Sequence, residues 1–200
     1  MREFNFEQGT AEWLESRLGC PSGSGFDKLI TGGGKPSTQA DNYINQLIAE
    51  KLTGETTYVK KTEWMERGNE LEPDARSYYE LATGNTVTEK GFCKHDELEC
   101  GVSPDGVIGS EGLVEIKCPS PSVHVAYLRG GVVPTKFRQQ TQGQLWIMEA
   151  EWLDFVAYHP SMPVLIVRIG RDEDYIKLLQ AEVEKACETI QTQYQKLKEL

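Results

Sequence analysis

Two carboxylates and a lysine lie close together near the middle of the 200-residue chain: Asp105, and then Glu115 and Lys117 on a β-rich segment. Side chains two residues apart on a strand point to the same face, so Glu115 and Lys117 are predicted to lie about 7 Å apart on one face. Such carboxylates bind a hard divalent cation such as Mg²⁺. A neighbouring lysine can position or deprotonate a metal-bound water or neutralise developing charge, which predicts metal-assisted hydrolysis of a phosphate ester.

The register of the strands around these residues decides whether they meet. The turn sequence Gly-Ser-Glu-Gly follows Ile108 and predicts a hairpin. A four-residue loop would pair Ile108 with Leu113 and turn Asp105 to the wrong face. A three-residue loop with a bulge would pair Ile108 with Gly112 and bring Asp105 opposite Glu115, as the catalytic interpretation requires. The alternative is a surface hairpin whose glutamate and lysine form only a weak ion pair.

Charge excludes a globally basic DNA-binding protein. The chain has 31 acidic and 21 basic residues and a formal net charge of −10. Any contact with nucleic acid must use bound cations or a local positive surface. Residues 116–148 contain no Asp or Glu, and this segment could follow a phosphate backbone. Its four basic residues are Lys117, Arg129, Lys136 and Arg138.

The sequence also bears on localisation. No apolar run approaches the roughly 20 residues of a membrane span, and the acidic N-terminus lacks the apolar core of a signal peptide. Five scattered cysteines without a CxxC pair indicate reduced thiols, with no zinc site and no disulfide framework. We therefore expect a soluble, cytoplasmic protein that contacts no membrane.

Hydrophobic periodicity predicts one α/β domain over residues 1–200, with a helical N-terminal third and a central mixed sheet flanked by helices. Helices are predicted at about 10–18, 38–52, 63–82, 135–149 and 172–200, and strands at 86–92, 98–103, 106–108, 113–118, 152–158 and 164–169. Pro73 predicts a kink or restart near Glu72 in the third helix. The predicted buried stripe of that helix is Trp64, Met65, Leu71, Ala75, Tyr78, Tyr79 and Leu81.

Pro104-Asp105 followed by Glu115-Ile116-Lys117 resembles the PD-(D/E)xK signature of restriction-endonuclease-like nucleases. From about residue 13 to residue 158, the chain is similar to the phage lambda-type alkaline exonucleases, the YqaJ-like viral recombinase family. The resemblance implies a restriction-endonuclease-like core and a Mg²⁺-dependent 5′-to-3′ exonuclease, with Mn²⁺ able to substitute. Such an enzyme degrades one strand of linear double-stranded DNA and leaves 3′ overhangs for recombination with a single-strand annealing protein. It further implies a ring-shaped homotrimer and a phage or prophage protein in a bacterial host.

The resemblance also implies roles for individual residues. The helix segment 67–76 resembles the family's G…E…AR element, and Gln142-Gly-Gln144 resembles its Q-x-Q element, whose second glutamine lies beside the catalytic lysine. The implied catalytic residues are Lys117, Glu115, Asp105 and Gln144. The implied metal ligands are Asp105, Glu115, Glu72 and the main-chain carbonyl of Ile116.

The segment 13–24 resembles the family's element for the terminal 5′ phosphate. The resemblance implies that Arg17, Ser24 and Ser103 bind this phosphate. In one departure, Val123 stands where the family has a second arginine. Either His124 substitutes or the pocket is weaker, so the strength of the 5′-phosphate preference is left open.

Two other functions remain open at this point. A restriction-type endonuclease of the same superfamily would cut closed circular DNA, on which an exonuclease cannot begin. A non-catalytic, metal-dependent DNA-binding protein would gain nothing from an ammonium beside its cation, so Lys117 argues against it. An iron–sulfur nuclease is disfavoured because it needs closely spaced C-terminal cysteines, whereas Cys187 stands alone.

Overall fold

The computed structural model describes residues 1–4, 6, 8–57 and 63–200, apart from the side chain of Met65. Its strands are β1 (Arg2–Phe4), β2 (Phe92–Lys94), β3 (Gly101–Val102), β4 (Gly106–Ile108), β5 (Gly112–Lys117), β6 (Trp152–Ala157) and β7 (Leu165–Gly170). Its α-helices are α1 (Ala11–Ser16), α2 (Ala40–Thr53), α3 (Glu63–Thr83), α4 (Pro121–Gly130), α5 (Arg138–Ile147) and α6 (Glu173–Lys198). Short 3₁₀ helices span Gly23–Lys28 and Thr135–Phe137. Within the described residues, no helix has the length and apolar character needed to span a bilayer.

The central sheet has the strand order β4-β5-β6-β7. β5 pairs antiparallel with β4 and parallel with β6, and β7 returns antiparallel to β6. One face of β5 packs against α3, where Val114 contacts the buried cluster of Ala75 and Tyr79. On the other face, Leu113 shares a cluster with Leu145 of α5. The predicted α/β fold with a central mixed sheet flanked by helices is confirmed.

A second, antiparallel sheet of β1, β2 and β3 was not predicted. β1 has only three residues, too few to show periodicity, and is held by its pairing with β2 and by an ion pair between the N-terminal amine and Asp96. The strand predicted at 86–92 is wrong up to residue 91, because this part of the segment makes only an isolated bridge between Thr88 and Val107. The real strand begins at Phe92.

Helix α3 runs through Pro73 as one continuous helix, so of the predicted kink or restart the restart does not occur. A proline removes one main-chain donor, and packing of the following turns on the sheet holds the helix together. Ala75 and Tyr79 are fully buried, whereas Trp64, Tyr78 and Leu81 of the predicted stripe are exposed. The helix therefore packs on the sheet along a narrow line of residues at i, i+4 spacing. The predicted burial of Met65 concerns a side chain that lies outside the described residues.

Helix α4 was not predicted from the sequence. Pro121 occupies the first helical turn, where its missing N–H costs no hydrogen bond. Gly131 ends the helix in the left-handed conformation, with φ +64°. The helix predicted at 135–149 consists of a 3₁₀ turn followed by α5, and the long closing helix is present as α6.

Candidate active site

The β4–β5 hairpin places Asp105 beside the strand that carries Glu115. Ile108 pairs with Gly112 and Gly106 with Val114, which continues to Asp105 opposite Glu115. Asp105 Oδ2 accepts a hydrogen bond of 2.6 Å from the main-chain N–H of Ile116. This is the three-residue-loop register that the catalytic interpretation requires.

Glu115 is 1% exposed, and three side chains donate to its carboxylate. Lys117 Nζ and Gln140 Nε2 donate to Oε1, and Gln144 Nε2 donates to Oε2 at 2.6 Å. Gln142 faces elsewhere, since its amide donates to the carbonyl of Gly170 at the end of β7 and accepts from the main-chain N–H of Asp172 before α6. Gln140 was missed by the sequence reasoning, although residues four apart share a helix face and Gln144 therefore pointed to it.

Burial and like charge shape the electrostatics of this cluster. Burial raises the pKa of Asp105 well above its ordinary value, and the charge of Glu115 raises it further. Burial also raises the pKa of Glu72, against the opposing effect of Arg76, which donates to Glu72 at 2.8 Å. Burial lowers the pKa of Lys117, but the carboxylates around it outweigh burial and raise that pKa. Lys117 is therefore an ammonium in this arrangement.

A second group of polar residues surrounds Arg17, just beyond α1. Arg17 Nη2 donates to Ser22 Oγ at 2.8 Å and lies 3.4 Å from Ser24 Oγ. Its guanidinium lies 4.3 Å from the centroid of the Trp13 ring, and Trp13 Nε1 donates to Ser103 Oγ at 3.1 Å. The structure thus links the N-terminal segment to the loop that carries Asp105.

Side chains of α2 accept hydrogen bonds from the loop after Arg17 and fix its position. Glu50 accepts a hydrogen bond from the main chain of Gly19, and the Tyr43 hydroxyl accepts one from the main chain of Ser22. A Cβ at Gly25 would lie 2.2 Å from the Tyr43 hydroxyl oxygen, so the close approach of this loop requires glycine.

Both groups open into one cavity of about 460 Å³. The predicted site residues that line it are Arg17, Ser24, Glu72, Ser103, Asp105, Glu115, Ile116, Lys117 and Gln144. Gln140, Lys136 and Val123 line it as well. Residues from the N-terminus, α3, the hairpin and α5 are therefore brought together in one place.

Residues 12–151 match the YqaJ-like viral recombinase domain. The chain belongs to this family. A crystal structure of an alkaline exonuclease, LHK-Exo from Laribacter hongkongensis, is 33% identical, with a TM-score of 0.87 over 95% of this chain and 97% of that chain. LHK-Exo in complex with dAMP gives the same TM-score and coverage at 34% identity. A phage-related exonuclease from Haemophilus somnus 129PT, 17% identical with a TM-score of 0.70 over 90% of this chain and 96% of that chain, shares the fold. No curated protein sequence matches significantly.

Membership of the YqaJ-like family, with an alkaline exonuclease at this level of identity, makes the chain a nuclease. One predicted phosphate-binding residue is not brought to its cavity. The His124 side chain is fully buried, and its Nε2 donates to the carbonyl of Pro163 at 2.8 Å. Successive residues on a helix point about 100° apart, so α4 can turn Val123 toward the cavity and His124 away from it. The idea that His124 replaces the family's arginine is therefore wrong.

The donor set of this YqaJ-like site suits a divalent cation. Among the described residues, no group of three or more His, Cys, Asp or Glu side chains has a metal-binding arrangement, and Glu72 is paired with Arg76. Asp105, Glu115 and Ile116 line the cavity together with Glu72, whose role as a metal ligand stays a prediction. Burial and the charge of Glu115 raise the pKa of Asp105, and a hard cation at this site would stabilise the ionised carboxylate.

Proposed function

We propose that the chain is a Mg²⁺-dependent exonuclease that degrades one strand of linear double-stranded DNA in the 5′-to-3′ direction. The observation that carries the proposal is the shared cavity, in which the Arg17 group lies beside the Asp105–Glu115–Lys117 group. One group suits a phosphate dianion and the other suits hydrolysis of a phosphodiester. The resemblance of the fold to LHK-Exo, whose complex contains dAMP, supports a nucleotide-sized product.

One group of residues binds the end of the DNA strand, and a second group would hold the metal. Arg17, with Ser24 and Ser103, binds the terminal 5′ phosphate and so sets the distance from the strand end to the bond that is cleaved. Asp105, Glu115 and the Ile116 carbonyl would hold Mg²⁺, which would polarise the phosphodiester and lower the pKa of a bound water.

Lys117 and the two glutamines act beside these ligands. The Lys117 ammonium donates to the attacking water or to the phosphate oxygen on which charge develops. Gln140 and Gln144 hold the two oxygens of Glu115 from α5, so the carboxylate keeps one orientation through the reaction.

The proposal extends to the assembly and its role. A chain of 22.5 kDa cannot enclose a duplex by itself, so sustained degradation requires several subunits or repeated rebinding. We propose the homotrimeric ring of the family, acting in a phage or prophage context with a single-strand annealing protein that binds the 3′ overhang. Sedimentation equilibrium at micromolar concentration should give three times the monomer mass, and a monomer on and off DNA would contradict the ring.

End-labelled linear duplex DNA tests the activity. With Mg²⁺, label at the 5′ end should be released first as mononucleotide, while label at the 3′ end should persist in shortened single strands. Mn²⁺ should substitute, and chelation of the metal should stop the reaction. Closed circular duplex, the control, should remain intact. Cleavage of the circle would favour the restriction-type endonuclease, and binding without cleavage would favour a non-catalytic protein.

A further inference from the structure

The wall of the cavity that α4 forms carries no cation of its own. Val123 lines the cavity, and it stands where the resemblance to the family implies a second phosphate-binding arginine. His124 cannot supply the charge, because its side chain is fully buried and bonded to the Pro163 carbonyl. Lys117 is engaged by Glu115. Arg17 would then face a phosphate dianion with hydroxyl groups as its main support.

Lys136 reaches the same wall from the 3₁₀ turn before α5. Its Nζ lies 5.4 Å from the ring centroid of Tyr127, which stands one helical turn beyond Val123 on α4. It also lies 4.9 Å from the ring centroid of Phe137, and Lys117 Nζ lies 5.5 Å from that same centroid. Lys136, Val123 and Lys117 therefore line the same cavity, and both lysines lie near the Phe137 ring.

The ammonium of Lys136 is free to bind an anion. Among the residues that the structure describes, no carboxylate lies within ion-pair distance of Lys136, and its ammonium lies near the rings of Tyr127 and Phe137. An aromatic face restrains a cation only weakly at an exposed site, so the ammonium keeps its three hydrogen-bond donors available. The segment around it, residues 118–148, contains no acidic residue that would neutralise it.

We infer that Lys136 is the second cation of the terminal-phosphate pocket and takes the place of the arginine that Val123 has replaced. The inference rests on the proposed function. Arg17 and Lys136 together match the two negative charges of a terminal phosphate monoester, whereas an internal phosphodiester carries one. Lys136 therefore determines specificity for 5′-phosphorylated ends.

The test compares rates on linear duplexes that are identical except for a 5′ phosphate or a 5′ hydroxyl. Lys136→Ala should lower the ratio of the two rates by about tenfold, the loss expected for a charge-assisted contact. Lys136→Arg should keep most of the ratio. Val123→Arg added to Lys136→Ala should restore it. Arg129→Ala is the matched control, since Arg129 belongs to the same acid-free segment but does not line the cavity, and its ratio should equal that of wild type.

The outcomes separate this inference from the proposed function. If wild type degrades no linear duplex, the proposed function fails, and this inference fails with it. If wild type degrades linear duplex and Lys136→Ala slows both substrates equally, Lys136 contacts an internal phosphate instead and the inference is overturned. An unchanged rate ratio in folded Lys136→Ala, with an unchanged circular dichroism spectrum, overturns it as well.

Discussion

At Glu115, three donors meet one buried carboxylate, and Lys117 is the only charged group among them. We expect Lys117→Ala to abolish cleavage while duplex binding stays within about twofold, because the ammonium acts on charge that develops during the reaction. Single-turnover cleavage and fluorescence anisotropy measure the two effects. Lys177→Ala removes an exposed lysine of α6 and should leave both unchanged. Near wild-type turnover in folded Lys117→Ala would contradict the mechanism.

Arg17 tests the other end of the cavity. Its guanidinium is oriented by Ser22 and by the Trp13 ring, so it is preorganised for a phosphate. Arg17→Ala should slow attack on 5′-phosphorylated duplex by at least about tenfold, equivalent to one charge-assisted hydrogen bond of about 1.5–3 kcal/mol. A 5′-hydroxyl duplex should be affected much less. Equal losses on both substrates would assign Arg17 to general backbone binding or to helix stability.

At the scale of the element, α5 has two polar faces: Gln144 contacts the catalytic carboxylate, whereas Gln142 contacts the main chain before α6. Gln144→Leu removes the donor to Glu115 Oε2 and should lower the cleavage rate by at least about tenfold. Gln142→Leu unpairs the Gly170 carbonyl and the Asp172 N–H, so it should cost about 1–3 kcal/mol of stability with little loss of rate. Urea unfolding and cleavage rates at low temperature separate the two. Loss of stability in Gln144→Leu together with loss of cleavage rate in Gln142→Leu would contradict these roles.

Helix α6 should be structural throughout. Leu179 is fully buried in the cluster that α6 forms with α2, so Leu179→Ala should cost about 2–5 kcal/mol of stability. Glu188 is exposed on the same helix, and Glu188→Ala should change neither stability nor activity. Loss of activity in a stable, folded Glu188→Ala protein would reveal a contact surface on α6.

At the scale of the whole molecule, an acidic chain gains stability when a cation binds its clustered carboxylates. Millimolar Mg²⁺ should raise the unfolding temperature of wild type, since a ligand at 100 times its Kd adds about 2.7 kcal/mol. Asp105→Asn should lose most of this rise, because it removes the carboxylate charge that binds the cation. Its amide oxygen can still accept from the Ile116 N–H, so the fold should be kept. The control is NaCl at equal ionic strength. An equal rise in Asp105→Asn would place the binding elsewhere.

The sequence by itself determined the parts of the site that lie close along the chain. Strand alternation put Glu115 and Lys117 on one face. The short turn before Glu115 allowed only two strand registers, and these limited where Asp105 could lie. Helical periodicity likewise identified the closing helix and the helix that carries Glu72. These features follow from dihedral geometry within single elements, which needs no knowledge of the rest of the fold.

The tertiary structure decided how each element is rotated and which distant segments meet. Only packing shows that α5 turns Gln140 and Gln144, rather than Gln142, toward Glu115, or that α4 buries His124. The hydrogen bond from Trp13 to Ser103 joins residues 90 positions apart. Periodicity gives the relative directions of side chains on one helix, but the free energy of burying its faces against neighbours sets their absolute directions.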